Sequence, residues 1–502
     1  MMSCVLAIGA NAADGKKTLR LPCTVEPLPQ PMATKDWNAN RTYRQLVVLV
    51  TFSDLDFSLE DPKATYEAMF NQNGYNQRDG AGCVADYFRD QSNGLFNLQF
   101  DVYGPVKVNS KAQAGNGSNP DFRKSVFEEA MRTLTTQQPD IDFSSYDWNG
   151  NGYVNQVVFV YAGYAGNQPG FTTYIWPSTG PMSILTTPDG YKVNSYTASG
   201  ELWSNKTSCG IGTICHEFSH CLGLPDVYPT VTNDSSLPTS IVDEWDLMDG
   251  GNGSNRGWCP PNYSALEKMQ LGWLTPTELT ADTVITGMKP VSDGGEVYLI
   301  RHTENEYYLL ENRQWQGWDL SVPGHGLLVW HVNYNKSEWN NNVVNNTAGK
   351  PNYHLVTADN LEYDAWLDLY YRRGGGNPYQ DKSRQLHRCL LSSAPYPWAT
   401  DSTDFVNSEL TNSSTPAAIM YNTNAEGSTL LSKPITDITE HEDGTISFVF
   451  HATTPDGILT NNREPLTNNH IYTLTGRKVQ AGAINSLPKG FYIINGKKTI
   501  IR

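Results

Sequence analysis

HEFSHCLGLPD, residues 216–226, is the stretch from which the rest of the chain is read. On an α-helix four residues advance by about 400°, so His216 and His220 stand about 40° apart, one turn above the other. Both imidazoles can reach one ion. By the same geometry Glu217 projects about 60° beyond His220, where it can touch a water on that ion without taking a ligand position. Ile211, Ile214, Cys215, Phe218 and Leu222 fall at i, i+3, i+4, i+7 and i+11 and form the opposite, buried face.

Gly223 suits the left-handed position that ends such a helix, and Pro225 prevents the helix from resuming. The turn brings Asp226, six residues after His220, back towards the two rings. A carboxylate is an acceptable zinc ligand, and two histidines, one carboxylate and an open fourth position make the tetrahedral site that hydrolysis needs. HExxH by itself arises by chance, and a lone helical histidine is usually a core or surface residue. The extension to HExxHxxGxxD counts against chance because the glycine and the aspartate each have their own mechanical reason to be there. Asp243 and Glu244 are rivals for the third ligand, from a second helix. The surrounding WDLMDGG (residues 245–251) reads instead as a loop beneath the site, which favours Asp226 and leaves Met248 to pack there without ligating.

A chain of 502 residues exceeds the size at which one hydrophobic core usually stops growing, so two or more structural units are expected. Its formal charge of −16, without any basic run, excludes a nucleic-acid or anionic-membrane binder. No later run is long and apolar enough to span a bilayer. Residues 1–12 read as the remnant of a secretory leader with a small-residue cleavage site at Ala10-Asn11-Ala12, although the basic start is missing. A secreted or cell-surface location is the expectation. None of the eight cysteines forms a CxxC, and Cys215 and Cys221 lie about 9 Å apart along one helix on different faces, too far to bridge. Cys23, in LPCTVEP, reads as a linker cysteine, and most of the other thiols as small buried apolar groups.

The fold class is α+β. Residues 13–43 are a Pro-rich extended lead-in or propeptide. Residues 44–275 alternate strands and helices: QLVVLVTFSD is a buried strand, VADYFRDQSNG a short helix stopped by Gly94, and LFNLQFDVYGPVKV a strand region. NPDFRKSVFEEAMRTL is a helix that aligns Phe122, Val126, Phe127, Ala130 and Leu134, with Asp121 as its N-cap, and VNQVVFVYAGYA is a second buried strand. Residues 276–452 are β-rich, with EVYLIRH, EYYLLENRQ, HGLLVWHVNY and GTISFVF as strands. A polar linker (453–468) leads to a small β C-terminal module (469–502).

DWNGNGYVN, residues 147–155, offers oxygens from Asp147, Asn149, Asn151, Tyr153 (through its backbone) and Asn155, with glycine at the sixth position. Val158 stands where a calcium loop has its bidentate glutamate. The loop fits a weakly charged Ca2+ site and an Asx-stabilised turn equally well.

HExxHxxGxxD followed by WDLMDGG resembles the metzincin arrangement of ligand helix and Met-turn. Read with YSALEKMQLGWL, FSSYDWNGNGYVNQVVFVYAGY and EYYLLENRQWQGWDLSVPGHGLLVWHV, the chain from about 44 to 450 resembles the immune inhibitor A-like family of secreted bacterial zinc metallopeptidases. The resemblance implies a metzincin-like α/β catalytic domain and a β-rich domain. It also implies Zn2+ held by His216, His220 and Asp226, with Glu217 as catalytic base in an endopeptidase acting on proteins or peptides outside the cell. IYTLTGRKV and LPKGFYIINGKK resemble the C-terminal sorting tails of Bacteroidetes proteins exported by the type IX route, which implies the export machinery as a partner; an ordinary β-module is the alternative. The competing function is a surface adhesin or glycan-binding protein on an inactive peptidase fold, supported by the many Trp and Tyr of the second half. The intact Glu217 speaks against it.

Overall fold

A strand whose residues are apolar on both faces needs neighbours on both sides, and β1 (Thr42–Thr51) has them. The computed structural model describes residues 36–453 apart from 114–116, 169, 204, 232–236, 238–239, 361–390 and 400–405, together with 471–473, 490–494 and 497–501. The leader, most of the Pro-rich lead-in, the sorting-like segment IYTLTGRKV beyond Thr473, and Cys4, Cys23 and Cys389 lie outside the described residues.

After β1 come α1 (Pro62–Asn71), α2 (Val84–Gln91), β2 (Asn97–Lys107), α3 (Pro120–Gln137), β3 (Val157–Tyr164), β4 (Ser178–Thr186), β5 (Lys192–Leu202) and α4 (Gly212–Cys221). The strands form one sheet in the order β2-β1-β3-β5-β4, parallel except for β4, which runs antiparallel to β5 at the edge. The strand and helix stretches read from the sequence are all present. The cap of α3 is different. Asn119, not Asp121, accepts the Asp121 N–H, because Pro120, with its fixed φ and no N–H, takes the first helical position and moves the cap back by two.

Then follow α5 (Ala265–Gln270), β6 (Thr277–Glu278), β7 (Thr283–Met288), β8 (Tyr298–Arg301), β9 (Glu306–Arg313), β10 (Gly326–Asn333), α6 (Lys336–Asn340), β11 (Tyr353–Leu355), the short pair β12 (Trp398–Ala399) and β13 (Val406–Asn407), β14 (Ile435–Glu440) and β15 (Ile446–Phe450). A second sheet has the order β11-β10-β9-β8-β6, and a third β14-β15-β7.

Period-two alternation explains how these sheets stack. Val47 and Leu49 of β1 face a central core, while Leu46, Val48 and Val50 face an outer core covered by α3. Leu309 of β9 with Leu328 and Trp330 of β10 face the same central core, whereas Leu310, Leu327 and Val329 face a third core closed by β7, β14 and β15. The first and second sheets are therefore each a wall between two cores. β9 and β10 are buried on both faces, and α2, α4 and α5 fill the central layer.

Contacts divide the chain after Ala452. In the second unit β16 (Ile471–Thr473), β17 (Gly490–Ile494) and β18 (Lys497–Ile501) form an antiparallel three-stranded sheet. No helix among the described residues is long and apolar enough to cross a membrane.

Candidate metal centre

All ten residues of α4 are buried, because the first sheet, the central core and the turn at 245–251 enclose it. Its start is fixed by close approach: a Cβ on Gly212 would lie 2.1 Å from the Asn252 carbonyl oxygen. Its end is a Schellman turn, in which the Gly223 N–H donates to the His220 carbonyl (3.0 Å) and the Leu224 N–H to the Ser219 carbonyl (3.1 Å). Gly223 has φ of 100°, the left-handed region expected for it.

That turn delivers Asp226. Its Oδ1 lies 3.2 Å from His216 Nε2 and 3.5 Å from His220 Nε2, and the side chains of all three are fully buried. The other ring nitrogens face backbone carbonyls: His216 Nδ1 donates to Leu247 O and His220 Nδ1 to Leu224 O, each at 2.8 Å. These bonds place the protons on Nδ1 and leave both Nε2 lone pairs pointing at a carboxylate oxygen. Three acceptors facing one another are tolerable only around a cation. Burial alone would push His216 down, but the hydrogen bond and charge of Asp226 outweigh it and raise its pKa to about 9. Burial acts on Asp226 in the opposite sense, upwards, but the two histidines outweigh it and hold the carboxyl far below the usual carboxylate range. A proton relieves the cluster in part; a divalent ion fits the donor set, two imidazoles and a carboxylate, that zinc uses. Among the described residues these three bring one ligand atom each within 4.8 Å of the others, and neither Asp243 nor Glu244 joins them.

Glu217, adjacent in sequence to His216, is buried, and the Thr179 hydroxyl of β4 lies 3.2 Å from its Oε2 and 2.5 Å from its backbone carbonyl. Beneath the rings, residues 246–250 form a turn. Its Leu247 carbonyl is the one that orients His216, and the Met248 carbonyl accepts the Val227 N–H at 3.1 Å. Met248 is buried in the central core. The turn is held by Asp246, which accepts from Met248 N (2.7 Å) and Tyr353 Oη (2.9 Å) and whose pKa burial pushes up to about 6.

Two supporting groups escaped the sequence reading. Asn342 donates from Nδ2 to Asp226 Oδ2 (2.8 Å) and accepts the Asp226 N–H on Oδ1 (2.6 Å) from 116 residues away. Thr179 sits on a strand that the sequence reading did not identify. No local spacing points to either one; the run NNNVVNN around Asn342 is the only hint, since asparagine tolerates the left-handed φ of 56° found there.

The loop at 147–155 is closed by its own side chains. Asp147 accepts the N–H groups of Asn151 and Gly152, Asn151 that of Tyr153, and Asn155 that of Trp148. This is the Asx-stabilised turn; Ca2+ finds no supporting observation. The five described cysteines, Cys83, Cys209, Cys215, Cys221 and Cys259, are all buried.

A second histidine cluster lies on the second sheet. His331 Nε2 faces Glu306 Oε1 at 2.8 Å, His331 Nδ1 faces His354 Nε2 at 3.0 Å, and His354 Nδ1 faces Leu355 O at 3.2 Å. Glu306 also accepts the Tyr421 and Asn422 N–H groups.

Residues 180–274 match the immune inhibitor A peptidase M6 catalytic domain. Immune inhibitor A of Bacillus thuringiensis subsp. alesti is 24% identical over 319 residues, 51% of this chain and 45% of that protein. The pre-pro-metalloprotease PrtV of Vibrio cholerae serotype O1 is 22% identical over 281 residues, 47% of this chain and 30% of that protein. The chain thus spans less than half the length of these curated relatives. The homology is distant, and it includes the helix and the turn that build the His–His–Asp cluster.

Proposed function

We propose that the protein is a secreted zinc-dependent endopeptidase of metzincin type that hydrolyses peptide bonds of extracellular proteins. The observation that carries this reading is the convergence of His216 Nε2, His220 Nε2 and Asp226 Oδ1, three buried acceptors with both imidazole tautomers fixed from behind. Zinc held by these residues would supply Lewis acidity, activating a water and polarising the scissile carbonyl. Glu217 takes the proton of the attacking water and returns it to the departing amine. Thr179 anchors the base from β4, and the Leu247 and Leu224 carbonyls hold the proton of each ring on Nδ1 and aim Nε2 at the site.

The distant relationship to immune inhibitor A and to PrtV supports the metalloprotease class, and the relatives' names support export. The non-catalytic adhesin would have no need of Glu217. Glu217→Ala should retain stoichiometric zinc and lose about 10²–10⁴-fold in peptidase activity. Undiminished activity in that variant, or wild-type activity that survives a chelator, refutes the proposal.

A further inference from the structure

Away from the metal centre, the end of the second sheet carries a cavity of about 670 Å³, within the range of roughly 300–1,000 Å³ usual for small-molecule sites. Its chemistry is unusual. Five asparagines line it, Asn305, Asn333, Asn335, Asn352 and Asn422, with Tyr334 and two threonines and no aliphatic side chain. An apolar ligand would gain nothing from burial there. A polyhydroxylated one would, because carboxamides complement neighbouring hydroxyls. Several of these amides are engaged with one another and with Glu338 or Glu306, but each carboxamide oxygen has a second lone pair, and the Asn305 amide makes no hydrogen bond within the described chain.

The charges narrow the class. Lys336 and Lys350 both line the cavity, and neither has a carboxylate partner among the described residues; the Lys350 ammonium instead sits 5.4 Å from the centre of the Tyr421 ring. The single carboxylate in the lining, Glu338, is already engaged by the amides of Asn335 and Asn352. In a chain of net charge −16, two ammonium groups against one occupied carboxylate make a local positive site.

The walls are built before any ligand arrives. The Asn333 N–H donates to the Asn352 carbonyl and the Tyr334 N–H to the Asn305 carbonyl, each at 2.7 Å, and Asn422 Nδ2 donates to Asn333 Oδ1 at 2.9 Å. Asn422 also donates to Glu306, tying the cavity to the buried histidine cluster. Little ordering cost is left for binding.

We propose that this cavity binds an acidic sugar, a hydroxylated ring bearing one carboxylate. The asparagines take the hydroxyls, Tyr334 offers a face to the ring, and Lys336 and Lys350 take the carboxylate. The site stands whether or not the protein is a peptidase.

Calorimetric titration of the full chain with 3′-sialyllactose and with glucuronic acid, against lactose and glucose as neutral counterparts and sodium acetate as a bare carboxylate, tests it. At least one acidic sugar should bind at least tenfold more tightly than its neutral counterpart and than acetate, and the preferred acid identifies the source. Lys336→Met with Lys350→Met should weaken that binding at least tenfold with the melting temperature unchanged; Asn305→Ala, whose exposed amide makes no hydrogen bond within the described chain, should weaken it severalfold. Absence of binding by both acids, equal binding of the neutral sugars or of acetate, or full affinity in the lysine variant overturns the proposal. The wild-type comparison decides even if the double variant does not fold.

Discussion

Two clusters in this molecule contain the same side chains, two histidines and a carboxylate, and they are wired in opposite ways. In His216, His220 and Asp226, both Nδ1 atoms are committed to carbonyls behind the rings, and the inward atoms are all acceptors. In Glu306, His331 and His354, His331 faces the carboxylate with one ring nitrogen and His354 with the other, while His354 Nδ1 faces the Leu355 carbonyl. The first set turns its free acceptors on one another and suits a cation; the second spends its ring nitrogens on partners of its own. Residue type does not make a metal site. Which ring nitrogen is tied down does.

The largest test of that contrast removes the carboxylate from each set. Asp226→Ala should lose stoichiometric zinc and all measurable peptidase activity, a larger loss than in the Glu217 variant. Glu306→Ala should keep both, yet unfold more easily in denaturant by about 1–3 kcal/mol, the order expected when buried hydrogen-bonding groups lose their partner. Zinc loss in the Glu306 variant would erase the distinction.

A smaller effect is expected one step back from the ligands. Asn342 touches no histidine but clasps Asp226 by its backbone N–H and its Oδ2. Asn342→Ala should weaken zinc binding by about 10–100-fold, the usual cost of losing a group that orients a ligand, as measured by competition with a chromophoric chelator.

The smallest effect distinguishes the clusters by pH. Burial, with help from the charge on His331, lowers His354 to about 3. Burial raises Glu306, but the hydrogen bond from His331 and the amides of Tyr421 and Asn422 outweigh it and bring it to about 2. Both folded values lie below the unfolded ones, so the unfolded chain binds more protons in acid. The cluster's contribution is complete above about pH 6.5, the ordinary histidine value, and is lost as pH falls towards 3. The melting temperature should drop across that window, and less so in His354→Gln.

The cluster of His216, His220 and Asp226 was legible because its geometry is local. Helical period, a left-handed glycine and a proline operate over the eleven residues 216–226, and no distant contact has to be known. The buried strands of both sheets were legible as apolar runs, and period two then sorted Val47 from Val48 and Leu309 from Leu310 between cores. β4 escaped because STGPMSILT combines glycine, proline and polar residues; it becomes a strand by pairing with β5 at an edge, a tertiary effect. Asn342 and Thr179 escaped for the same reason, since their partners are set by how distant segments meet. The α3 cap was misplaced by two residues because an acidic first turn resembles a cap unless the proline is counted.

Gly223 gives the fold an unusual dependence. Nothing lies within 4 Å of where its side chain would project, so the site has ample room and still excludes nearly every ordinary residue, because φ of 100° suits the opposite handedness. The approach of Asp226 to the two histidines rests on stereochemistry rather than on bulk. A mirror-image alanine introduced by chemical synthesis would fit where its natural counterpart strains.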